Sequence, residues 1–191
     1  MTTPHQVMPS VILQTERLTL RAFTEGDVDG VLRGMTDPLT RRWLPLPAPG
    51  REYTRADAEE WCRVQAPQSR ICGDGQQWAA VETATGAFLG AFGLLRTLWA
   101  ARTTEVGYWL GPWARGRGYA PEAVTAVAHW TLRDQRFERV ELKAATGNLP
   151  SRRVAEKAGF VFEGVERNAM VLHVGRADLA VYSLIPSDLA A

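Results

Sequence analysis

EVGYWLGPWARGRGYAPEAV, residues 105–124, is the passage from which the architecture is read. Residues 103–110 alternate as a strand does, and Gly111-Pro112 stops them. A loop rich in Arg and Gly follows, and from about Ala120 to Arg133 the spacing predicts a helix. The first amides of a helix lack intrahelical partners, and the positive end of its dipole lies there. Small residues such as Gly116, Gly118 and Ala120 let backbone approach a ligand closely, while Arg115 and Arg117 add positive charge. Such a loop suits the oxygens of a diphosphate. It equally suits a tight turn solvated by its arginines, and the motif alone does not separate the two readings. A nucleoside-triphosphate loop is excluded because Tyr119 and Ala120 follow Gly118 where Lys and Ser/Thr are needed. A dinucleotide fingerprint is excluded by its missing third glycine and by the lack of a doubly wound strand order.

Working outward, RVELKAA (139–145) is the next strand, so strand, helix and strand make a crossover unit that chirality rules expect to be right-handed. Asn148 is placed to cap a short helix with Pro150 in its first turn and Gly159 at its end. FVFEGV (160–165) and DLAVYSLI (178–185) read as the last two strands. Upstream, RLTLRAF (17–23) is a first strand, and WAAVE (78–82) and FLGAFGLLR (88–96) form a hairpin about Thr85-Gly86. Asp27 is placed to cap a helix through Met35, which Asp37-Pro38 closes; Asp57 to Gln65 is a second short helix. Residues 43–53, with three prolines, read as a surface loop, and 1–12 as a loose tail. The sum is an α+β layer, a mixed sheet with helices, in a single domain spanning 1–191.

Composition narrows the function. Basic and acidic residues number 22 and 21, so no overall field points to nucleic acid or to an anionic membrane. The apolar runs are far short of a membrane span, and the N-terminus has no secretory pattern. Cys62 and Cys72 make no disulfide framework, and His5, His129 and His173 have no metal-ligand spacing. A cytoplasmic protein with no metal is expected.

Three segments resemble one family. Residues 105–124 resemble the cofactor-binding core of the GNAT superfamily of N-acetyltransferases, whose Gln/Arg-x-x-Gly-x-Gly/Ala pattern is met by Arg115, Gly118 and Ala120. NLPSRRVAEKAGF (148–160) and TERLTLRAF (15–23) are similar to segments of the ribosomal-protein alanine acetyltransferase (RimJ/RimL-like) subgroup. The resemblance implies a six- to seven-stranded, mostly antiparallel sheet with helices on both faces and a V-shaped split between the fourth and fifth strands. It implies acetyl-CoA as co-substrate, its pyrophosphate on the amides of Arg115, Gly116, Arg117, Gly118, Tyr119 and Ala120. Trp109 and Leu110 would pair through their backbone with the pantetheine arm, and Gly107 would allow a bulge beside the split. The acceptor would be a primary amine, on a protein N-terminus or a small molecule; a homodimer is admitted by the resemblance alone.

Attack of an amine on a thioester requires the amine to lose a proton and the thiolate to gain one. Ser151 is the candidate acid, since it shares a helix face with Val154, Ala155 and Ala158 that should turn inward; the competing reading is a serine that ties down a first-turn amide. Asn148 is a helix cap, a cofactor contact, or both. Arg152, Arg153 and Lys157 either reach the adenosine 3′-phosphate or form a solvated face. Glu105 is the candidate base, against a plain ion pair with an arginine; His173 is a weaker candidate, expected in an exposed hairpin. The subgroup's alternative carboxylate position falls on Met170, so that role does not transfer. Arg41, Arg42 and Trp43 are candidates for acceptor contact. A catalytically idle acyl-CoA-binding regulatory module is the alternative to an enzyme.

Overall fold

The computed structural model describes residues 6–190. Their backbone forms one eight-stranded sheet in the order β1-β2-β3-β4-β5-β6-β8-β7. The strands are β1 (Leu13–Gln14), β2 (Leu18–Arg21), β3 (Gln76–Glu82), β4 (Phe88–Leu98), β5 (Thr103–Leu110), β6 (Arg139–Ala145), β7 (Val161–Leu172) and β8 (Gly175–Leu184). The strand count exceeds the expected six to seven because the two-residue β1 pairs with β2. All neighbours are antiparallel except β5 and β6, which run parallel.

That parallel pair carries the architecture. β5 and β6 pair only at Thr103↔Arg139, Thr104↔Val140 and Glu105↔Glu141. From Val106 onward β5 keeps its antiparallel partner β4 but parts from β6. The split expected between the fourth and fifth strands of the sequence reading is therefore present, with Glu105 at its closed end.

Helices cover both faces. α5 (Tyr119–Arg133) and α6 (Leu149–Lys157) lie on the face that carries Trp78, Phe92, Val106 and Leu142. Buried Ala120, Ala123, Val124, Val127 and Ala128 line the inner side of α5, and their small size brings the helix close to the sheet. On the other face α1 (Val28–Met35) and α3 (Arg55–Glu60) enclose a second core with Phe23, Phe88 and Trp109. Gly34 of α1 sits so close to Trp109 that a Cβ there would lie 2.1 Å from the indole.

Local chemistry shifts several boundaries. The first helical turn is capped by a Thr24–Asp27 box, so Asp27 closes the box from its third position. Buried Asp27 also holds Arg21 at 2.7 Å. Asp37-Pro38 ends one helix and starts another: Asp37 accepts from the Thr40 amide at 2.9 Å, and α2 (Pro38–Trp43) follows. Trp43 therefore stands in the last turn of a helix, and the surface loop begins after it. The second short helix starts at a Thr54–Asp57 box and continues through a π-helical turn (Trp61–Gln65) into α4 (Ala66–Ile71).

Of the expected tail, residues 1–5 lie outside the described residues, and residues 6–12 are tied down. Met8 is fully buried, its carbonyl accepts from Arg70 at 3.3 Å, and that of Val11 accepts from the Trp78 indole at 3.0 Å. No bulge falls at Gly107, which pairs in register with Gly93; the irregularity lies between Leu95 and Leu98.

Candidate active site

The loop between β5 and α5 has the geometry of an anion cradle. Gly116 and Gly118 adopt φ of 76° and 81°, a left-handed conformation that L side chains rarely take. These turns orient the backbone so that no amide from Arg115 to Ala120 donates to an acceptor among the described residues. Successive N–H groups in such a turn form a concave nest at the positive end of a 15-residue helix.

The side chains of this loop are committed elsewhere. Arg115 does not extend towards the cradle: it donates to the Leu110 carbonyl at 3.1 Å, to Asp37 at 2.5 Å and to Thr40 at 2.6 Å. Burial alone would raise the Asp37 carboxyl, but the bonds from Arg115 and Thr40 outweigh it and hold the group below its ordinary range. Arg117 lies 3.4 Å from Glu82 and over the ring of Tyr119, with Arg17 over that ring as well. The Tyr119 hydroxyl donates to Glu82 at 2.5 Å, so the ring is buried and only its amide faces the nest. The positive charge expected from Arg115 and Arg117 is thus balanced by Asp37 and Glu82. What remains free is main chain.

Along β5, Gly111 donates to the Leu89 carbonyl, and the two-residue period of an antiparallel ladder turns the backbone of Trp109 and Gly107 towards β4 as well. Leu110 and Tyr108 turn theirs into the split. This corrects one expectation: Trp109 has its backbone committed to Ala91, and Tyr108 takes its place beside Leu110. The Trp109 side chain packs on Gly34 and Phe88 on the opposite face.

Across the split stands α6. Asn148 caps it, accepting from the Ser151 amide at 3.3 Å. Ala155 and Ala158 are buried, as the inward face requires, and Ser151 is half-buried beside them. The Ser151 hydroxyl points at the sheet, where it accepts from the Tyr108 hydroxyl at 3.1 Å. Arg152 turns inward to Tyr182 at 3.0 Å and to the Thr146 carbonyl, whereas Arg153 and Lys157 are exposed with no partner among the described residues.

Glu105 occupies the closed end. It is 8% exposed and ion-paired with Arg96 at 2.6 Å. Burial raises its carboxyl above the ordinary range, against the pull of Arg96 and Lys143. A cavity of about 220 Å³, lined by Arg96, Thr104, Glu105, Glu141 and Lys143, opens beside it. Trp43 stands towards the other end of β6: it packs beside Ala145, Leu172 and Leu179, its ring 3.4 Å from where a Cβ on Gly147 would stand. Arg42 lies over the Trp43 ring, and Arg41 is half-buried next to it. His173 is half-buried in the β7–β8 turn, its Nε2 without a partner among the described residues.

Tyr108, Asp37 and Glu82 were missed in the sequence. The alternation that set Glu105, Gly107 and Trp109 on one face placed Tyr108 on the other, which was the available signal. Nothing local linked Asp37 or Glu82 to a loop that lies far along the chain.

Comparison with known proteins adds a family. The acetyltransferase (GNAT) domain matches residues 17–161. YdaF of Bacillus subtilis (strain 168), provisionally named a ribosomal N-acetyltransferase, is 31% identical over 91% of this chain and 93% of its own. A GCN5-related N-acetyltransferase from Brucella melitensis superposes with a TM-score of 0.79 at 26% identity, covering 100% of this chain and 85% of that one. Mycobacterium smegmatis RimJ, solved with CoA-disulfide, shares the fold at a TM-score of 0.81 and 19% identity, over 91% and 84% of the two chains. Among the described residues no helix is long and apolar enough to cross a membrane.

Proposed function

The chain belongs to the acetyltransferase (GNAT) domain family and is an acetyl-CoA-dependent N-acetyltransferase; from that premise we propose that its single domain acetylates the terminal amine of a protein, with Ser151 as proton donor and Glu105 as proton acceptor. The observation that carries the cofactor assignment is the run of unpartnered amides from Arg115 to Ala120 beside a pair of parted strands. Those amides take the diphosphate, and the amides of Tyr108 and Leu110 take the arm that lies in the split. The thioester supplies an activated acetyl group.

This chain's residues then hold the reacting partners and handle two protons. The amine nitrogen bonds to the carbonyl carbon and loses one proton, while the carbon–sulfur bond breaks and the sulfur gains one. An amide of β5 facing the split stabilises the negative charge that develops on the carbonyl oxygen. Ser151 stands on α6 with its hydroxyl towards β5, where it supplies the sulfur's proton. Glu105 takes the amine's proton, directly or through water in the adjoining cavity, and burial makes its carboxylate a stronger base than an exposed one.

A protein acceptor is supported by the provisional naming of YdaF and by a second relative, the Escherichia coli (strain K12) ribosomal-protein-serine acetyltransferase, 31% identical over 44% of this chain. The test is thiol release from acetyl-CoA with peptides bearing free N-termini, and with small amines in parallel. Turnover of peptides at a kcat/KM at least tenfold above small amines is expected. Preference for small amines would overturn the acceptor reading, and cofactor binding without turnover on any amine would favour the idle module.

A further inference from the structure

Tyr108 stands on β5 within hydrogen-bond reach of Ser151. Its ring is stacked on Phe92, with centroids 5.4 Å apart and planes 10° from parallel, and Phe92 is itself 1% exposed. That stack fixes the direction of the phenol. Its hydroxyl donates to Ser151 at 3.1 Å, joining β5 to α6 across the opening of the sheet. Neither hydroxyl has another partner among the described residues.

We propose that Tyr108 is the positioning residue for Ser151: by donating to the serine oxygen it leaves the serine's own O–H aimed into the split, where the sulfur departs. The proposal rests on Ser151 being the proton donor. A serine has one proton and two lone pairs. A free hydroxyl would rotate among several acceptors, and each unproductive rotamer would slow the step. A hydroxyl that accepts from a rigid phenol has lost that freedom, because its proton cannot point back along the same line. Burial pushes the Tyr108 phenol up to about 12, so it keeps its proton and its direction as a donor throughout the neutral and mildly alkaline range. No proton leaves Tyr108.

The experiment compares Tyr108→Phe, Ser151→Ala and the double variant, reading kcat, KM for acetyl-CoA and CoA affinity from pH 7 to 9. Phenylalanine retains the stack on Phe92 and removes only the hydroxyl. Tyr108→Phe should lower kcat about tenfold, the upper end of what one net hydrogen bond supplies, with KM and CoA affinity within about twofold. The double variant should be no slower than Ser151→Ala alone, since an orienting group has nothing left to orient. A purely structural tie between β5 and α6 would instead disturb cofactor affinity with kcat little changed, and that result overturns the proposal. So does a double variant whose loss equals the product of the single losses. Full activity in Tyr108→Phe beside a slow Ser151→Ala would remove Tyr108 and leave the donor in place. Full activity in Ser151→Ala would remove the donor reading and this inference with it.

Discussion

At Gly118 the backbone stands at φ 81°, and a Cβ added there would come 3.3 Å from an Arg17 nitrogen. Holding an L residue in the left-handed region costs roughly 1–2 kcal/mol, so Gly118→Ala would push the loop towards a conformation in which the amides no longer converge. The expected result is a KM for acetyl-CoA several-fold higher, with kcat at saturation nearly unchanged, read by thiol-release kinetics. An unchanged KM would mean the loop does not grip the cofactor. At this scale the sequence announced the backbone cradle, because glycine spacing after a strand is a local signal. It misplaced the charges. Arg115 and Arg117 look like phosphate ligands in sequence, yet their partners Asp37 and Glu82 lie 78 and 35 residues away. Distant carboxylates of this kind leave no mark beside the residues they neutralise.

Elements show the same division between local and long-range information. The Asn148 cap is read from its neighbours in sequence; the Thr24 and Thr54 boxes are equally local, yet the sequence reading starts those helices three residues late, at Asp27 and Asp57, and the length of β7 has no local signal. The sequence reading ends that strand at Val165, but it runs to Leu172 because two bulges let it follow β8. What pins this end of the sheet is a charged ladder: Arg139 of β6 holds Glu163 of β7 at 2.5 Å, and Ser183 of β8 donates to the same carboxylate at 2.7 Å. The hydrogen bonds from Arg139 and then Ser183 lower the Glu163 carboxyl from 4.5 to about 2. Because the folded value is depressed, this stabilisation is complete above the unfolded value and is lost as pH falls through about 2. The pair is partly exposed, which limits it to about 1 kcal/mol at neutral pH. Glu163→Gln should therefore lower the melting temperature by about 2–4 °C at pH 7, and the gap to the unaltered protein should close between pH 4.5 and pH 2. Thermal melts across that range read it directly; a gap independent of pH would show that Glu163 contributes by shape alone.

For the molecule as a whole, the sheet is built to be incomplete. Three residue pairs join β5 to β6 at one end, and beyond them β5 turns the backbone of Tyr108 and the amide of Leu110 into the opening, while the Leu110 carbonyl is held by Arg115. Buried strands ordinarily satisfy each other, so a sheet that parts here leaves polar groups which a third strand-like ligand can pair. The native state alone presents that opening together with the nest at α5, and an unfolded chain presents neither. Coenzyme A must then stabilise the fold by mass action. At a concentration one hundred times its dissociation constant the gain is about 2.7 kcal/mol. For a chain of this size that corresponds to a rise in melting temperature of roughly 5–10 °C. The rise should grow with the logarithm of ligand concentration, persist in Ser151→Ala, and shrink in Gly118→Ala at the same concentration, since only the latter alters the backbone proposed to hold the diphosphate. A melting temperature indifferent to coenzyme A at millimolar concentration would mean that the strands part for some other guest.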